Sequence, residues 1–275
     1  YAGGLVGLNL NGAISLCYAT GEVSATECAG GLVGLCWGGT ISRSYAKSTV
    51  LATDEPLASA GGLVGRTIGC TISECYSAGP VTAEGDSSGV AGGLTGSSSS
   101  TNLSDCYSIS PVTSGNHAGG LVGSLSGGSI SRCYAAGRLQ SASWAVGGLV
   151  SNNNGTPSIT DSFWDFAATG AGSSPGGGTG LSTAAMQTQS TFTDAGWNFS
   201  TVWHMLSDLT YPYLRNVPQT DTPDVLGLSE AGAVAAIEAA GFVAQVTYEY
   251  SETLAPDQVV SQSPPAGHTV NAGTP

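Results

Sequence analysis

The sequence predicts a mainly β protein, in which a parallel β-helix with an aromatic-rich C-terminal cap precedes a small α+β domain. A Gly-Gly pair followed by Leu recurs six times, in steps of 27, 31, 31, 27 and 28 residues. A second signature of the type Ile-Ser-x-Cys-Tyr follows, with 15 residues from the first Gly to the Tyr in five copies. Repeats with a period near 30 residues indicate a solenoid. The pairs begin at Gly3, Gly30, Gly61, Gly92, Gly119 and Gly147.

The residues within each repeat favour short strands over helices. They are rich in Gly, Ser, Thr and Val, which are unfavourable in helix interiors, and their apolar runs are separated by tight corners. A repeat of 27–31 residues with three short strands fits one rung of a parallel β-helix. Rungs stacked ~4.8 Å apart would give six rungs a length of roughly 29 Å. We expect the coil to be right-handed.

Stacked rungs align equivalent residues in columns, and two neighbouring columns have distinct chemistry. The Cys position is always small, as a tight interior requires: Cys17, Ser44, Cys75, Cys106, Cys133 and Ser162. The position before it is mostly charged, which predicts a water-facing column with weak ion pairs between rungs. Its carboxylates also offer a weaker alternative, the paired acids of glycoside chemistry. We call this set the corner column: Leu16, Arg43, Glu74, Asp105, Arg132 and Asp161.

An aromatic column follows the Cys position. Strict alternation along a strand would point these rings outward, whereas a corner after the Cys would turn them inward, and the sequence leaves both open. Outward rings would form a ladder able to stack on sugar rings, and inward rings would be core. The candidate ligand-binding residues, here called the tyrosine ladder, are Tyr18, Tyr45, Tyr76, Tyr107 and Tyr134.

The repeats from Tyr1 to Phe163 resemble the GLUG motif of bacterial surface and secreted proteins, including adhesin-like proteins and some IgA peptidases. Six copies share both halves of the motif. The resemblance implies an extracellular, largely structural array. It implies no catalytic residues, because GLUG regions are accessory to any enzyme that they accompany.

The amino-acid composition limits the classes of partner that the chain is expected to bind. The chain has 275 residues, 42 of them Gly, and a net charge of −13 with only six Lys plus Arg. Nucleic-acid binding is therefore not expected, because phosphate binding needs clustered cations. No apolar run approaches the ~18 residues that a membrane-spanning helix needs, so no span is expected in this segment.

The seven cysteines fall into two groups. Four lie in the small interior column, where they are expected to stay thiols. Cys36 and Cys70 lie six and nine residues after the first Gly of adjacent repeats, so a disulfide between them is an open alternative to free thiols. The absence of Cys-x-x-Cys and the presence of only three His residues make a zinc site improbable.

Length variation is confined to the stretch between the Tyr and the next Gly-Gly, with gaps of 12, 16, 16, 12 and 13 residues. Insertions at one edge of a solenoid are the usual place for recognition loops. The two long loops carry Asp54, Glu55, Glu84 and Asp86, which could hold a structural Ca²⁺. Acidic loop tips are usually only solvated, so we expect no cofactor and keep Ca²⁺ as the alternative.

After the solenoid, assigned to residues 1–166, residues 167–215 are predicted to cap its C-terminal end. Residues 167–180 form a Gly/Ser-rich loop, and Ser182 is positioned to cap a short helix. The aromatic cluster that follows would cover the apolar end of the solenoid and is similar to the tail of GLUG arrays. A sugar-binding aromatic cleft is the alternative. The cluster comprises Phe192, Trp197, Phe199, Trp203, Tyr211 and Tyr213.

A linker, residues 216–222, leads to a C-terminal domain over 223–275. Ser229 is predicted to cap a helix over 230–240, with strands over 243–250 and 259–262. The runs Pro-Asp-Val at 223–225, Gly-Leu-Ser at 227–229 and Val-Val-Ser-Gln-Ser-Pro at 259–264 resemble a PASTA domain. In that family some copies bind peptidoglycan fragments and others act as spacers. A last strand, which the family would place after Gly273-Thr274, is missing.

These features predict a non-enzymatic, extracellular, structural or adhesive segment of a bacterial surface protein or filament. The alternative is a carbohydrate-binding or carbohydrate-cleaving β-helix. Expected partners are copies of the chain joined head to tail, other surface proteins, or cell-wall glycan bound by the PASTA-like domain. Because both ends of the sequence stop at incomplete β-structure, we expect a longer chain, with head-to-tail assembly as the alternative.

Overall fold

Six rungs of a parallel β-solenoid form the N-terminal part of the chain, and each rung contributes strands to three sheets. The structure is a computed structural model, and it describes residues 1–53, 58–85, 89–142, 145–217, 219–240, 242, 244–251, 254–263, 265–267 and 269–271. The predicted β-solenoid with a small C-terminal domain is confirmed. All strand pairs between rungs are parallel, with equivalent residues of successive repeats in register.

The first sheet contains the Gly-Gly positions. Its six strands lie in chain order, because each pairs with its equivalent in the next rung. The chain turns sharply after each strand, and a methyl group added at Gly30 would overlap the carbonyl oxygen of Val33. A residue without a side chain is therefore required there. The strands are Ala2–Gly3, Cys28–Gly30, Ser59–Gly61, Val90–Gly92, His117–Gly119 and Ala145–Gly147.

The second sheet carries the interior Ile/Leu column. Ile41, Ile72, Leu103 and Ile130 pair in register and are fully buried. In the fourth and fifth rungs the two short strands of this sheet merge into one of ten residues. Its strands are Val6–Leu10, Ala13–Ser15, Val33–Trp37, Thr40–Ser42, Val64–Ile68, Thr71–Ser73, Thr95–Ser104, Val122–Ser131, Val150–Asn153 and Ser158–Thr160.

The third sheet carries the aromatic column. The stretches that vary in length connect this sheet to the first sheet, and their residues 54–57, 86–88 and 143–144 lie outside the described part of the chain. Its strands are Tyr18–Ala25, Tyr45–Ala52, Tyr76–Ser77, Val81–Ala83, Tyr107–Ser108, Val112–Ser114, Tyr134–Ala135, Leu139–Ser141, Phe163–Asp165 and Thr179–Leu181.

A left-handed residue forms the corner between the second and third sheets in every rung. All six members of the corner column have φ between 47° and 54°. This conformation is uncommon for residues other than Gly, and it breaks the alternation of side chains along the chain. In the second rung, Ile41 belongs to the core inside the solenoid and Ser44 is fully buried, whereas Tyr45 belongs to a separate cluster with aromatic residues that follow the sixth rung. The aromatic column therefore faces away from the solenoid interior.

The interior thiols form the predicted column. Cys75, Cys106 and Cys133 are unpaired by disulfides and fully buried. Each donates a hydrogen bond to the carbonyl of the residue two positions earlier, at 3.1, 3.1 and 3.3 Å. The column is a packed part of the core, in which Cys acts as a small apolar residue.

The segment after the sixth rung does more than cap the end of the solenoid. Thr179–Leu181 pairs with Phe163–Asp165, and Ser174 donates a hydrogen bond to the Val150 carbonyl at 3.2 Å, so this part covers the last rung. Residues 182–217, here called the strap, instead lie over the outside of the third sheet. The helices of this region are Phe166–Thr169, Thr183–Met186 and Gln189–Thr193, and a two-stranded antiparallel sheet joins Trp203–His204 to Tyr213–Leu214.

The C-terminal domain contains the helix Glu230–Ala239, and the Ser229 hydroxyl caps it by accepting from the Gly232 amide at 3.2 Å. Gln219–Asp221 pairs antiparallel with Thr269–Asn271. The predicted strands over 243–250 and 259–262 are not formed by the described residues there. Val259 donates its amide to the Leu228 carbonyl and accepts from the Gly227 amide, both at 2.9 Å, in the loop before the helix.

Candidate functional site

The tyrosine ladder is a continuous stack of parallel rings. The five rings, from Tyr18 to Tyr134, have successive centroid distances of 5.2, 4.8, 4.9 and 5.0 Å. Their planes differ by 9° or less. The separation equals the rung spacing of the sheet, so the backbone register itself holds the rings in contact.

The strap buries most of this ladder. Tyr18 is 57% exposed, whereas the next four rings are between 0 and 7% exposed. The Trp203 ring lies 6.1 Å from the Tyr107 ring and 6.2 Å from the Tyr134 ring, and it is itself fully buried. Four of the candidate ligand-binding rings, Tyr45, Tyr76, Tyr107 and Tyr134, therefore belong to a buried aromatic cluster with residues of the strap.

Three polar contacts fix the direction of the strap along the solenoid. Trp197 Nε1 donates to the Asp161 carbonyl in the sixth rung at 2.9 Å. Trp203 Nε1 donates to Asp105 Oδ1 in the fourth rung at 3.2 Å. Asn216 Nδ2 donates to Glu74 Oε2 in the third rung at 2.9 Å. The strap thus runs back from the last rung towards the first.

The corner column provides the attachment points. Arg132 binds Asp105 through two hydrogen bonds of 2.8 Å, from Nε to Oδ1 and from Nη2 to Oδ2, as predicted for this pair. The expectation that the column faces water is wrong for Asp105, which is only 9% exposed because Trp203 lies over it. Glu74 therefore binds the strap, and Asp105 binds both the strap and Arg132. These contacts give both carboxylates a structural role.

Burial changes the acidity of the ladder. It raises the pKa of Tyr76 and of Tyr134 well above the usual value, and the neighbouring tyrosines raise both further. Tyr134 also donates its hydroxyl hydrogen to the Pro212 carbonyl at 2.8 Å. The pKa of Tyr211 is raised by burial and then by its 2.8 Å hydrogen bond to Asp165 Oδ2.

An exposed apolar edge remains at the first rung. Its strands pair with the second rung on one side only, within the described residues 1–53. Large apolar side chains there are between 43 and 60% exposed. We call this surface the first-rung edge, and its members are Leu5, Leu8, Leu10, Leu16 and Tyr18.

No metal centre emerges from the part of the chain that the structure describes, where no group of three or more His, Cys, Asp or Glu residues could hold an ion. The predicted Ca²⁺ loops are only partly covered by this finding. Asp54, Glu55 and Asp86 lie outside the described residues, and Glu84 is exposed. The calcium loops therefore stay a prediction.

The C-terminal domain has a cleft with a volume of about 640 Å³. Ala233 is buried on one wall, and Tyr248 on another wall is 83% exposed. The Tyr248 hydroxyl donates to Glu230 Oε1 at 3.1 Å. Acidic groups are frequent around the cleft, with Glu230, Glu249 and Asp257 among its lining residues.

No helix in the described part of the chain is long and apolar enough to cross a membrane.

Comparisons with known protein families give matches for the repeat region and for the C-terminal domain. The model of the GLUG motif matches residues 1–24 and 114–140, and the model of the PASTA domain matches residues 220–275. A Gly-rich protein of Evansella cellulosilytica, provisionally described as a membrane protein, is 40% identical over 88 residues. That match covers 30% of this chain and 10% of the relative.

Among solved structures, a protein of Bacteroides ovatus provisionally described as an immunoglobulin A1 protease has a similar fold. The TM-score is 0.53 at 23% identity, and the match covers 79% of this chain and 64% of the other. At this identity the likeness concerns the fold alone. The chain therefore carries GLUG motifs within a β-solenoid and a PASTA domain after it.

Proposed function

We propose that this chain is a non-enzymatic, extracellular, structural or adhesive segment of a bacterial surface protein. The observation that carries the proposal is the internal use of the groups that could otherwise bind or cleave a polymer. Four ladder tyrosines are buried under the strap, and the carboxylates of Glu74 and Asp105 hold the strap in place. These contacts use the ladder and both carboxylates within the fold itself.

Stiffness is supported by two features of the solenoid. Backbone hydrogen bonds join each rung to the next in all three sheets, and the ring stack adds a second line of contact along the axis. The strap then ties the sixth rung to the third through Asp161 and Glu74. A repeat array gains stability from each interface between neighbouring repeats, so these ties make it a suitable spacer.

A location at the cell surface or in the envelope is supported by the comparisons. GLUG motifs resemble those of bacterial surface and secreted proteins, the PASTA domain is a module of cell-wall proteins, and one relative is described as a membrane protein. The chain spans only a small part of that relative, so the activity and partners of the whole protein are part of this proposal.

Association with a partner is part of this proposal. Because equivalent residues pair in parallel from one rung to the next, another rung of the same type would add to the solenoid by parallel strand pairing. That rung would come from a second copy or from another surface protein with the same repeat. Addition of one copy to the next in a head-to-tail manner would extend into a filament.

The test compares two matched double substitutions by sedimentation velocity over a range of concentrations. We expect the wild type to form elongated, concentration-dependent species, and L8E/L10E to remain monomeric. The control L226E/L228E places the same charges on exposed leucines of the C-terminal domain and should associate like the wild type. A wild type that stays monomeric alone and with a second GLUG-repeat protein would contradict the proposed head-to-tail association.

The non-enzymatic part of the proposal has its own test. The native protein is incubated with pectin-like polymers, and new reducing or unsaturated ends are measured. We expect none. Turnover that survives in E74Q and D105N would place the chemistry elsewhere, and turnover lost in either variant would assign these carboxylates as catalytic; both outcomes overturn the proposal.

Binding of cell-wall glycan by the PASTA domain is a second candidate function. It is supported by the cleft beside the helix and by Tyr248 and Tyr250, which are 83% and 88% exposed and could stack on sugar rings. Co-sedimentation with purified peptidoglycan tests it, with Y248A/Y250A expected to lose binding. Tyr18→Ala is the control, because it removes an exposed ring from the solenoid instead.

A further inference from the structure

Two cysteines outside the interior thiol column face each other across neighbouring rungs. Cys36 lies in the second-rung strand Val33–Trp37, and Cys70 lies at the third-rung corner between Val64–Ile68 and Thr71–Ser73. Their Sγ atoms are 2.7 Å apart. Cys36 is fully buried and Cys70 is 1% exposed, so the contact is part of the core.

The separation is too short for two independent thiols. Non-bonded carbon atoms already prefer about 3.5–4.0 Å, and sulfur is the larger atom. A disulfide bond brings two sulfurs to about 2.05 Å. The distance between the two sulfurs in neighbouring rungs therefore lies between that of a non-bonded contact and that of a disulfide bond.

The register explains why this pair differs from the interior thiol column. Cys75, Cys106 and Cys133 occupy the same position in successive rungs, so their side chains run parallel and each bonds to a carbonyl of its own rung. Cys36 instead pairs in register with Thr67, three positions before Cys70. The offset lets the two side chains approach each other from different positions along the coil.

We propose that Cys36 and Cys70 form an intramolecular disulfide that cross-links the second and third rungs. The oxidant is a low-molecular-weight disulfide such as glutathione disulfide. Two protein thiols are oxidised to one disulfide, and glutathione disulfide is reduced to two glutathione thiols, so that electrons and protons balance.

The chemistry proceeds in two exchange steps. One of the two cysteines attacks glutathione disulfide as its thiolate, because the thiolate and not the thiol is the nucleophile. This attack forms a mixed disulfide and releases one glutathione. The other cysteine then loses its proton and attacks the protein sulfur of the mixed disulfide, which releases the second glutathione.

The burial of both sulfur atoms determines at which stage of folding the bond can form. Neither sulfur is open to a tripeptide in the folded rungs, so the exchange takes place while the rungs assemble. Once formed, the bond is shielded from external thiols. It closes a loop between positions 34 residues apart, and it therefore restrains the unfolded chain.

The experiment refolds the full chain in a mixture of glutathione and glutathione disulfide. The remaining thiols are then blocked with N-ethylmaleimide under denaturing conditions and counted by intact mass. We expect five of the seven cysteines to be blocked, with a Cys36–Cys70 link in the peptide map. The oxidised protein should melt about 5–10 °C above the reduced protein.

Single substitutions separate this pair from the other thiols. In C36S and in C70S all six remaining cysteines should be blocked, and the melting temperature should not depend on the glutathione mixture. The control C106S removes a column thiol and should keep the Cys36–Cys70 link. Seven blocked cysteines in folded wild type, or a link between any other two cysteines, would overturn the proposal.

Discussion

The indole nitrogen of Trp203 donates a hydrogen bond to Oδ1 of Asp105 at 3.2 Å, across 98 residues of sequence. The same carboxylate accepts two hydrogen bonds from Arg132. Asp105 thus joins the strap to the fourth rung and the fourth rung to the fifth. This single carboxylate connects the cover of the tyrosine ladder to the solenoid beneath it.

Removal of the Trp203 side chain should release the strap. Trp203 is fully buried against the tyrosine rings, and truncation of a buried Trp to Ala costs about 3–5 kcal/mol of unfolding free energy. We expect W203A to melt earlier, and to be cleaved by a protease within residues 182–217 before the solenoid is cut. W37A is the control, since Trp37 is 56% exposed, and it should change stability little. Equal losses in both variants would contradict this role.

Replacement of Asp105 by Asn should weaken the same junction. The change removes the charge that holds Arg132 and sets an amide NH2 group against at least one of the three donors, so we expect a loss of about 1–3 kcal/mol in chemical denaturation. D161N is the matched control on the same column. Asp161 is exposed and offers Trp197 its backbone carbonyl, so this variant should lie within ~0.5 kcal/mol of the wild type.

Stability should fall steeply at alkaline pH. Tyr76 and Tyr134 have pKa values raised well above the unfolded value of 10.0 by burial. The unfolded chain therefore releases these protons first, and stability that is present below pH 10 is lost as the pH rises above it. Denaturation curves between pH 8 and 11 measure the effect. In Y76F/Y134F the decline above pH 10 should be shallower by about 1.4 kcal/mol per pH unit for each tyrosine. An unchanged slope would show that other groups govern it.

Thiol labelling of the reduced, native protein should be selective. Cys17 is partly exposed and should react first, whereas the other six cysteines are buried and should react only as the chain unfolds. In C17S the fast phase should disappear. Rapid alkylation of Cys75, Cys106 and Cys133 in the native state would contradict the interior thiol column.

Calcium should leave the melting temperature unchanged, because acidic loop tips are usually solvated. The measurement compares saturating Ca²⁺ with a chelator, since an ion that binds only the folded state must raise the midpoint. A rise that is lost in D54N/D86N would instead assign a calcium site between the two long loops. Glu22→Gln is a control that removes an exposed carboxylate from the first rung.

The repeat spacing was sufficient to predict the rungs, their register and the buried thiols. Ile41 pairs with Ile72, and Tyr76 pairs with Tyr107, as equal offsets within the repeats require. The direction of the tyrosines could not be predicted, because it depends on the left-handed corner at residues such as Arg43 and Glu74. Six non-glycine residues in that conformation carry no shared residue type that would reveal it.

The predicted cap illustrates the same limit. Its aromatic residues predicted a buried segment, and the end of the solenoid was the surface that we expected this segment to cover. In the structure the part up to residue 181 covers the end of the last rung, whereas the strap lies over the ladder and over Phe163 on the outer face of that rung. A contact such as Tyr134 with Pro212, 78 residues apart, leaves no periodic signal in the sequence.

The sequence by itself determined the solenoid, because a period repeated six times sets which residues stack on one another in columns. Only the tertiary structure decided what covers the outward face of the third sheet. Whether Tyr76, Tyr107 and Tyr134 bind a ligand or the chain's own Trp203 depends on where a non-repeating segment folds. Burial of apolar area has no direction of its own, so the strap lies where Asp161, Asp105 and Glu74 supply matching hydrogen-bond acceptors.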